Sequence, residues 1–331
     1  MIGTRRHDMA RLLISGVLLA SPLVGAAGAR AADGSLTYRV SVLTYNVCGG
    51  NNKRNTCGED LTPERRRVWA PEVSALIRSR DVDVASFTEM CYAQVDLLQR
   101  ELPDYDFVWY GLGRSANCRE IWGDLTDQTT APNGRTAGIA LAFKNGVVGA
   151  PFRRRLVVDN PDADPSAPIH RRGVLCARSV IGMEYGVGCV THISPLESPQ
   201  QVTGEIGRWA GGVPIILGGD FNRMPEHPEM GAVYGTGLGA GNYTEVDAGP
   251  AGKQSRGGNP TTRGGRKIDY IFASQSNYRN AGAEVIQTNP ELSDHRPLVG
   301  SFTGAADGAQ TGTFVHTFTQ VVAAAFAAIP K

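Results

Sequence analysis

No Cys-x-x-Cys pair occurs in the 331 residues, and no histidine pair stands at the matching spacing, so the six cysteines do not form a common zinc framework. No apolar run approaches the length of about 18 residues that a membrane-spanning helix needs. The candidates, Leu12 to Leu19 and Val321 to Ile329, are both far shorter. A dominant charge is missing too: 33 Lys+Arg face 32 Asp+Glu, net +1. Any binding of a polyanion must therefore come from a local patch. There is no internal repeat, which sets aside solenoids. Tryptophan is sparse and scattered (69, 109, 122 and 209), with no paired aromatic tip suited to entering a lipid surface.

What is present describes a packed, turn-rich chain. Hydrophobic residues make up 41% and charged residues 20%, enough for a core and unlike extended disorder. The 41 glycines and 19 prolines point to many loops rather than a helical bundle. Residues 1–31 read as a secretory signal peptide: Arg5, Arg6 and Arg11, a short apolar run, and Ala29-Arg30-Ala31 as a small-x-small cleavage site near Ala31. Arg5-Arg6 lacks the flanking pattern of twin-arginine signals, so the ordinary Sec route is expected. Removing this segment takes away four Arg and one Asp, leaving 29 basic and 31 acidic residues, net −2. The expected location is extracellular, where six cysteines would oxidise. Fifteen pairings are possible. Sequence neighbours are the expectation: Cys48–Cys57, Cys91–Cys118 and Cys176–Cys189. The last has the most support, because its cysteines lie in two apolar runs separated by a turn-like segment, Gly182 to Gly186.

Hydrophobic periodicity divides the chain. Strand patterns cover Val40–Val47, Val82–Thr88, Phe107–Tyr110, Ala137–Phe143, Arg155–Val158, Val174–Ile181, Val187–Ile193, Val213–Leu217, Lys267–Ala273 and Pro297–Phe302. Helical patterns cover Pro63–Arg80, Gln94–Leu102 and Pro199–Ala210. The Gly-rich stretch Gly231–Gly265 reads as a long surface connection. Mixed elements throughout imply one layered α/β domain over 32–302, with 303–331 as a C-terminal tail.

Polar residues recur at the strand ends. In order they are Thr44-Tyr45-Asn46, Phe87-Thr88-Glu89, Thr191-His192, Gly219-Asp220-Phe221-Asn222, Lys267-Ile268-Asp269-Tyr270 and Ser293-Asp294-His295-Arg296-Pro297. A carboxylate beside a buried strand is costly unless paired or bound to a cation. Several converging on one rim make the oxygen-rich setting that magnesium prefers. An isolated Asp after a strand is more often a turn residue; the series as a whole is what carries weight.

That series resembles the endonuclease/exonuclease/phosphatase superfamily across about residues 40–302, all blocks in family order. The resemblance implies a four-layer α/β/β/α sandwich with two mixed, mainly antiparallel sheets. It implies a metal-dependent hydrolase of phosphodiesters, with Mg2+ as cofactor and Mn2+ or Ca2+ as alternatives. By resemblance, Glu89 is the principal metal ligand, with Asn46 beside it and Asp294 as a second ligand. Asp220 positions or deprotonates water, Asn222 holds a phosphate oxygen, His295 serves the scissile phosphate, Asp269 orients His295, and His192 is the second histidine. Met90-Cys91-Tyr92 departs from the polar residues that many members carry after the Glu. The motifs leave the substrate open among DNA or RNA, sphingomyelin and inositol phosphates, with a non-catalytic module of the same fold as a lesser reading. Export, the paired histidines and arginines at 114–119, 135, 153–155 and 171–172 favour nucleic acid, with Arg135 as a substrate contact. A monomer without stable membrane insertion is expected.

Overall fold

In this computed structural model the described residues are 36–49, 63–115, 118, 122, 136–157, 172–235, 237–249, 255–288 and 292–306. They form two six-stranded sheets. Sheet A comprises β1 (Leu36–Asn46), β2 (Val84–Cys91), β3 (Asp106–Arg114), β4 (Thr136–Phe143), β11 (Tyr278–Val285) and β12 (Leu298–Ala306), in the order β11-β12-β1-β2-β4-β3. Sheet B comprises β5 (Val148–Arg155), β6 (Gly173–Ile181), β7 (Glu184–His192), β8 (Ile215–Asp220), β9 (Tyr243–Glu245) and β10 (Asp269–Ser274), in the order β5-β6-β7-β8-β10-β9. The helices are α1 (Pro63–Ser79), α2 (Tyr92–Glu101) and α3 (Pro199–Ala210).

Side-chain alternation along the strands builds the layers. In β1, Val40 and Val42 turn one way and Leu43 and Tyr45 the other. The first pair joins Val84, Leu141, Leu175, Val190, Ile216 and Ile271 in a core between the sheets. Leu43, Tyr45, Ala85 and Phe87 pack against Trp69, Val73 and Ile77 of α1 and Leu98 of α2. On the far side of sheet B, Cys176, Cys189 and Leu217 meet Val202, Ile206 and Ala210 of α3. Three buried interfaces separate four layers, so the expected α/β/β/α sandwich is the observed one. Helix α3 matches its sequence signals. Pro199 opens it, the Ser198 hydroxyl accepts from Gln200 N at 3.1 Å, and Gly211 ends it at φ 67°.

Three readings change. The C-terminal tail does not begin at 303, because β12 stays paired with β1 through Ala306. The edge strand is Val148–Arg155 rather than 155–158. Both of its faces are partly exposed, so it carries arginines and Pro151 instead of an apolar alternation. The Gly231–Gly265 stretch is not wholly superficial. Tyr234, Tyr243 and Val246 are buried in it, and β9 pairs with β10. Few apolar residues suffice when each is large and central.

Cys91–Cys118 and Cys176–Cys189 are bonded, with Cα separations of 5.4 and 4.1 Å. Cys176 and Cys189 lie directly opposite each other in the β6–β7 hairpin. Cys48 is also disulfide-bonded; Cys57, its expected partner, lies outside the described residues, as do residues 1–31 and 307–331.

Candidate active site

Strand direction brings the polar blocks together. β1 and β2 are parallel, as are β7 and β8, so all four point their C-terminal ends at one rim. β10 runs antiparallel to β8 and β12 antiparallel to β1, so these two begin at that rim. His192, Asp220 and Asp269 are successive partners in register across sheet B. They continue the inward-facing alternation of Val190, Ile216 and Ile271, which aims all three side chains at sheet A.

Glu89 needs a further device. Simple alternation would send it outward with Phe87. A bulge between Phe87 and Met90 sets three residue steps of β2 against two of β4 and reverses the alternation. Met90 accordingly packs outward against α1 and α2, and Glu89, at φ 55°, turns toward the site. Asn222 (φ 51°) and Cys48 (φ 52°) hold the same left-handed conformation beside the site. Backbone strain of this kind gathers where a rim is shaped for chemistry.

The sheets approach closely here. A Cβ on Gly218 would lie 2.1 Å from Ser86 Oγ. Asn46 Nδ2 can therefore bridge the two layers, donating to Asp220 Oδ2 at 3.0 Å and Glu89 Oε1 at 3.3 Å. Its own oxygen accepts from Cys48 N at 3.0 Å. Asp220 Oδ1 accepts from Asn222 N at 2.8 Å, and Asn222 Nδ2 donates to Ile193 O at 2.8 Å. His192 Nε2 lies 3.5 Å from Asp220 and 3.7 Å from Glu89. On the other flank, His295 Nδ1 meets Asp269 Oδ2 at 2.8 Å, which leaves Nε2 facing Asp220 at 3.9 Å. The Ser293 hydroxyl donates to Asn46 O at 2.7 Å and accepts from His295 N at 3.0 Å, locking the two sheet-A segments together.

Burial sets the electrostatics. It pushes Glu89 above the usual carboxylate range, partly opposed by Arg172 and His295. Burial, then the neighbouring Asp269 charge, raises Asp220 to about 7. Burial alone would lower His295, but Asp269, Asp220 and Asp294 outweigh it and raise the imidazole to about 10.

The donor set fits a hard divalent cation. Glu89 Oε2 is buried without a hydrogen-bond partner, a state that a cation relieves. Asp220, Asp269 and His295 also place ligand atoms within 4.8 Å of one another. Asp269 Oδ1 is likewise buried without a hydrogen-bond partner, while its Oδ2 is taken by His295 Nδ1. Asn46 as placed presents its amide hydrogens to the carboxylates, and ligation would require its oxygen to turn inward.

The structure thus joins Asn46, Glu89, His192, Asp220, Asn222, Asp269 and His295 in one site. Asp294 adjoins it, near enough to act on the charge of both Glu89 and His295. Arg135 lies outside the described residues. Arg172 belongs to the site although the sequence shows it only as part of an arginine run. Its guanidinium nitrogen Nη1 lies 2.6 and 2.7 Å from the two ring nitrogens of His192. No sequence signal set it apart from its neighbours, because what brings it here is the register of the adjoining Gly173 with His192.

Two sheets face to face, with carboxylates, amides and imidazoles converging on one rim, define a class: the sandwich hydrolases that include nucleases, phosphatases and phosphodiesterases. The chain belongs to the Endonuclease/Exonuclease/phosphatase family, whose profile matches residues 43–295. This family consists generally of metal-dependent hydrolases. No curated protein matches the chain. Among solved structures, an endonuclease/exonuclease/phosphatase from Bacteroides vulgatus is 18% identical with a TM-score of 0.57, covering 80% of this chain and 98% of that one. The human Nocturnin catalytic domain with bound sulfate is 16% identical at 0.55, covering 84% and 99%. A mannosyl-6-phosphatase from Bacteroides thetaiotaomicron is 18% identical at 0.53, covering 81% and 100%. At these identities the likeness is one of fold.

Proposed function

We propose that this protein is an exported, magnesium-dependent phosphodiesterase acting on nucleic acid. The observation that supports it most is the row His192–Asp220–Asp269, with His295 hydrogen-bonded to Asp269 and Glu89 facing the row from the other sheet. The disulfides Cys91–Cys118 and Cys176–Cys189 suit an oxidising compartment.

In this reading Asp220 orients a water and takes its proton. Burial raises its basicity toward neutrality, and Asn222 N and Asn46 Nδ2 fix its two oxygens. His295, held by Asp269, presents Nε2 to the phosphate as a cationic donor and supplies a proton to the departing oxygen. Arg172 brings further positive charge from the opposite flank, beside His192, where negative charge grows on the phosphoryl oxygens. Asn222 holds one of those oxygens. Glu89, with Asn46 and Asp294, would hold the cation, which supplies Lewis-acid polarisation of the phosphoryl group when bound.

The test is cleavage of plasmid DNA, RNA, sphingomyelin and an inositol phosphate by purified protein with Mg2+, each with EDTA and Asp220→Ala controls. Cutting of nucleic acid that both controls stop is the expected result. Turnover confined to sphingomyelin or a phosphomonoester would retain the site and replace the substrate. No metal-dependent turnover at all would reject the enzyme assignment in favour of a binding module.

A further inference from the structure

We propose that the seam between edge strands β3 and β5 is a phosphate track that carries a polynucleotide chain to the catalytic row, with Arg153 and Arg155 as its principal contacts. This rests on the phosphodiesterase reading above and names the polymer surface it uses.

The register supplies the geometry. Arg155 pairs with Gly173 of β6, and Gly173 pairs with His192 of β7. Arg155 therefore stands in line with His192, Asp220 and Asp269, two strands out, or about 10 Å from His192 at the usual strand spacing. That separation reaches past a scissile phosphate to its neighbours along a polymer. A lone small phosphoester on the row would not extend so far.

Alternation then sorts the arginines. Phe152 and Arg154 face α3: Phe152 stacks on Trp209 with centroids 5.4 Å apart, and Arg154 pairs with Glu205 at 3.3 Å. Glu205 is also engaged by Arg208 at 2.8 Å. Arg153 and Arg155 consequently face the other way, toward sheet A. Arg153 Nε donates to Trp109 O of β3 at 3.3 Å, in keeping with that direction. Both arginines are exposed. The Arg155 side chain has no hydrogen-bond or ion-pair partner among the described residues. At Gly173 the seam is tight, since a Cβ there would lie 2.7 Å from Leu112 Cδ2 and 3.3 Å from Tyr110 Cε1. The exposed Arg114 ends β3 at the catalytic rim, and Arg172 continues the positive charge inward to His192.

A row of guanidinium groups leading away from one side of a hydrolytic centre suits an extended polyanion, because each neutralised phosphate releases a counterion. The chain's near-zero net charge makes this local concentration the place where such binding would reside.

The experiment has two arms. In the first, a fluorescent single-stranded oligonucleotide is titrated with EDTA-treated protein over a salt series. For Arg153→Ala/Arg155→Ala, the affinity at low salt should fall roughly tenfold, and the slope of log K against log salt should flatten by about 1.4, the share of two contacts on a single strand. Arg154→Ala, which alters the opposite face of the same strand, should bind like wild type. In the second arm, Mg2+-dependent turnover of bis(p-nitrophenyl) phosphate should be the same in wild type and the double variant. Unchanged oligonucleotide binding in the double variant, or an equal loss on the small diester, overturns the track. If wild type does not bind the oligonucleotide but hydrolyses the small diester, the track fails and the phosphodiesterase reading stands. If it binds the oligonucleotide through these arginines and hydrolyses nothing, the reading fails and the track stands.

Discussion

Glu89 and His295 carry opposite electrostatic problems, and each makes a separate prediction. Glu89 is a buried carboxylate whose folded pKa is raised by burial. A raised group contributes stability below its unfolded pKa and loses it as pH rises, so ionised Glu89 burdens the metal-free fold at neutral pH. In EDTA at pH 7, Glu89→Gln should melt at or above the wild-type temperature. Mg2+ should raise the melting temperature of wild type and leave the variant unmoved. An equal Mg2+ shift in both proteins, read by thermal denaturation, would remove Glu89 as the anchoring ligand. His295 stands at about 10 because nearby carboxylates, Asp269 first, outweigh the effect of burial. Asp269→Asn should therefore lower that pKa, move the alkaline limb of the pH–rate profile to lower pH, and reduce kcat by ~100- to 10,000-fold. A profile that keeps its alkaline limb would place the catalytic imidazolium elsewhere.

At the scale of elements, the junction of β1 and β2 sets where Asn46 and Glu89 emerge. Asp83, just before β2, accepts from Ser41 N of β1 at 2.8 Å. Burial raises its carboxyl to about 6, against the lowering influence of that bond and Lys144. The raised pKa means that Asp83 favours the fold below about pH 4 and that this contribution is lost as pH rises through 6. Asp83→Asn keeps an acceptor and does not ionise. The variant should gain stability relative to wild type between pH 4 and 7, by up to about 3 kcal/mol. Urea denaturation at both pH values reads the difference, and a parallel response of the two proteins would refute the account. The bulge in β2 works at the same scale: one added residue turns Glu89 from the helix-facing side to the site-facing side.

For the whole molecule, the site exists because two sheets press together at Gly218. Ser86, on the facing strand, donates to Leu43 O at 3.1 Å and has a reason to stay. Gly218→Ala should force the sheets apart, destabilise the fold by about 1–3 kcal/mol, and lower kcat through displacement of Asp220 from Asn46. Adding Ser86→Gly should restore much of both. Stability and kcat that are unaffected in Gly218→Ala would show that the sheets yield without moving the site.

Much of this was legible in the chain itself. The boundaries of α3 follow from Ser198-Pro199 and Gly211, and the buried strands β4, β6 and β7 follow from their apolar runs, because local propensity and burial agree there. The Gly-Asp-Phe-Asn and Ser-Asp-His-Arg-Pro blocks were equally plain as motifs. β5 and β11 were obscured or missed: an edge strand open to solvent can carry Arg, Asn and Gly without penalty, so its pairing leaves little periodic trace. The sequence by itself determined which residues are able to do chemistry and the order in which the chain presents them. Only the tertiary structure decided that His192, Asp220 and Asp269 share one row, that Glu89 faces it, and that Arg172 and Arg155 extend it. Register between strands far apart in sequence, and the hand of a single bulge, are fixed by packing across the sheets rather than by any local pattern.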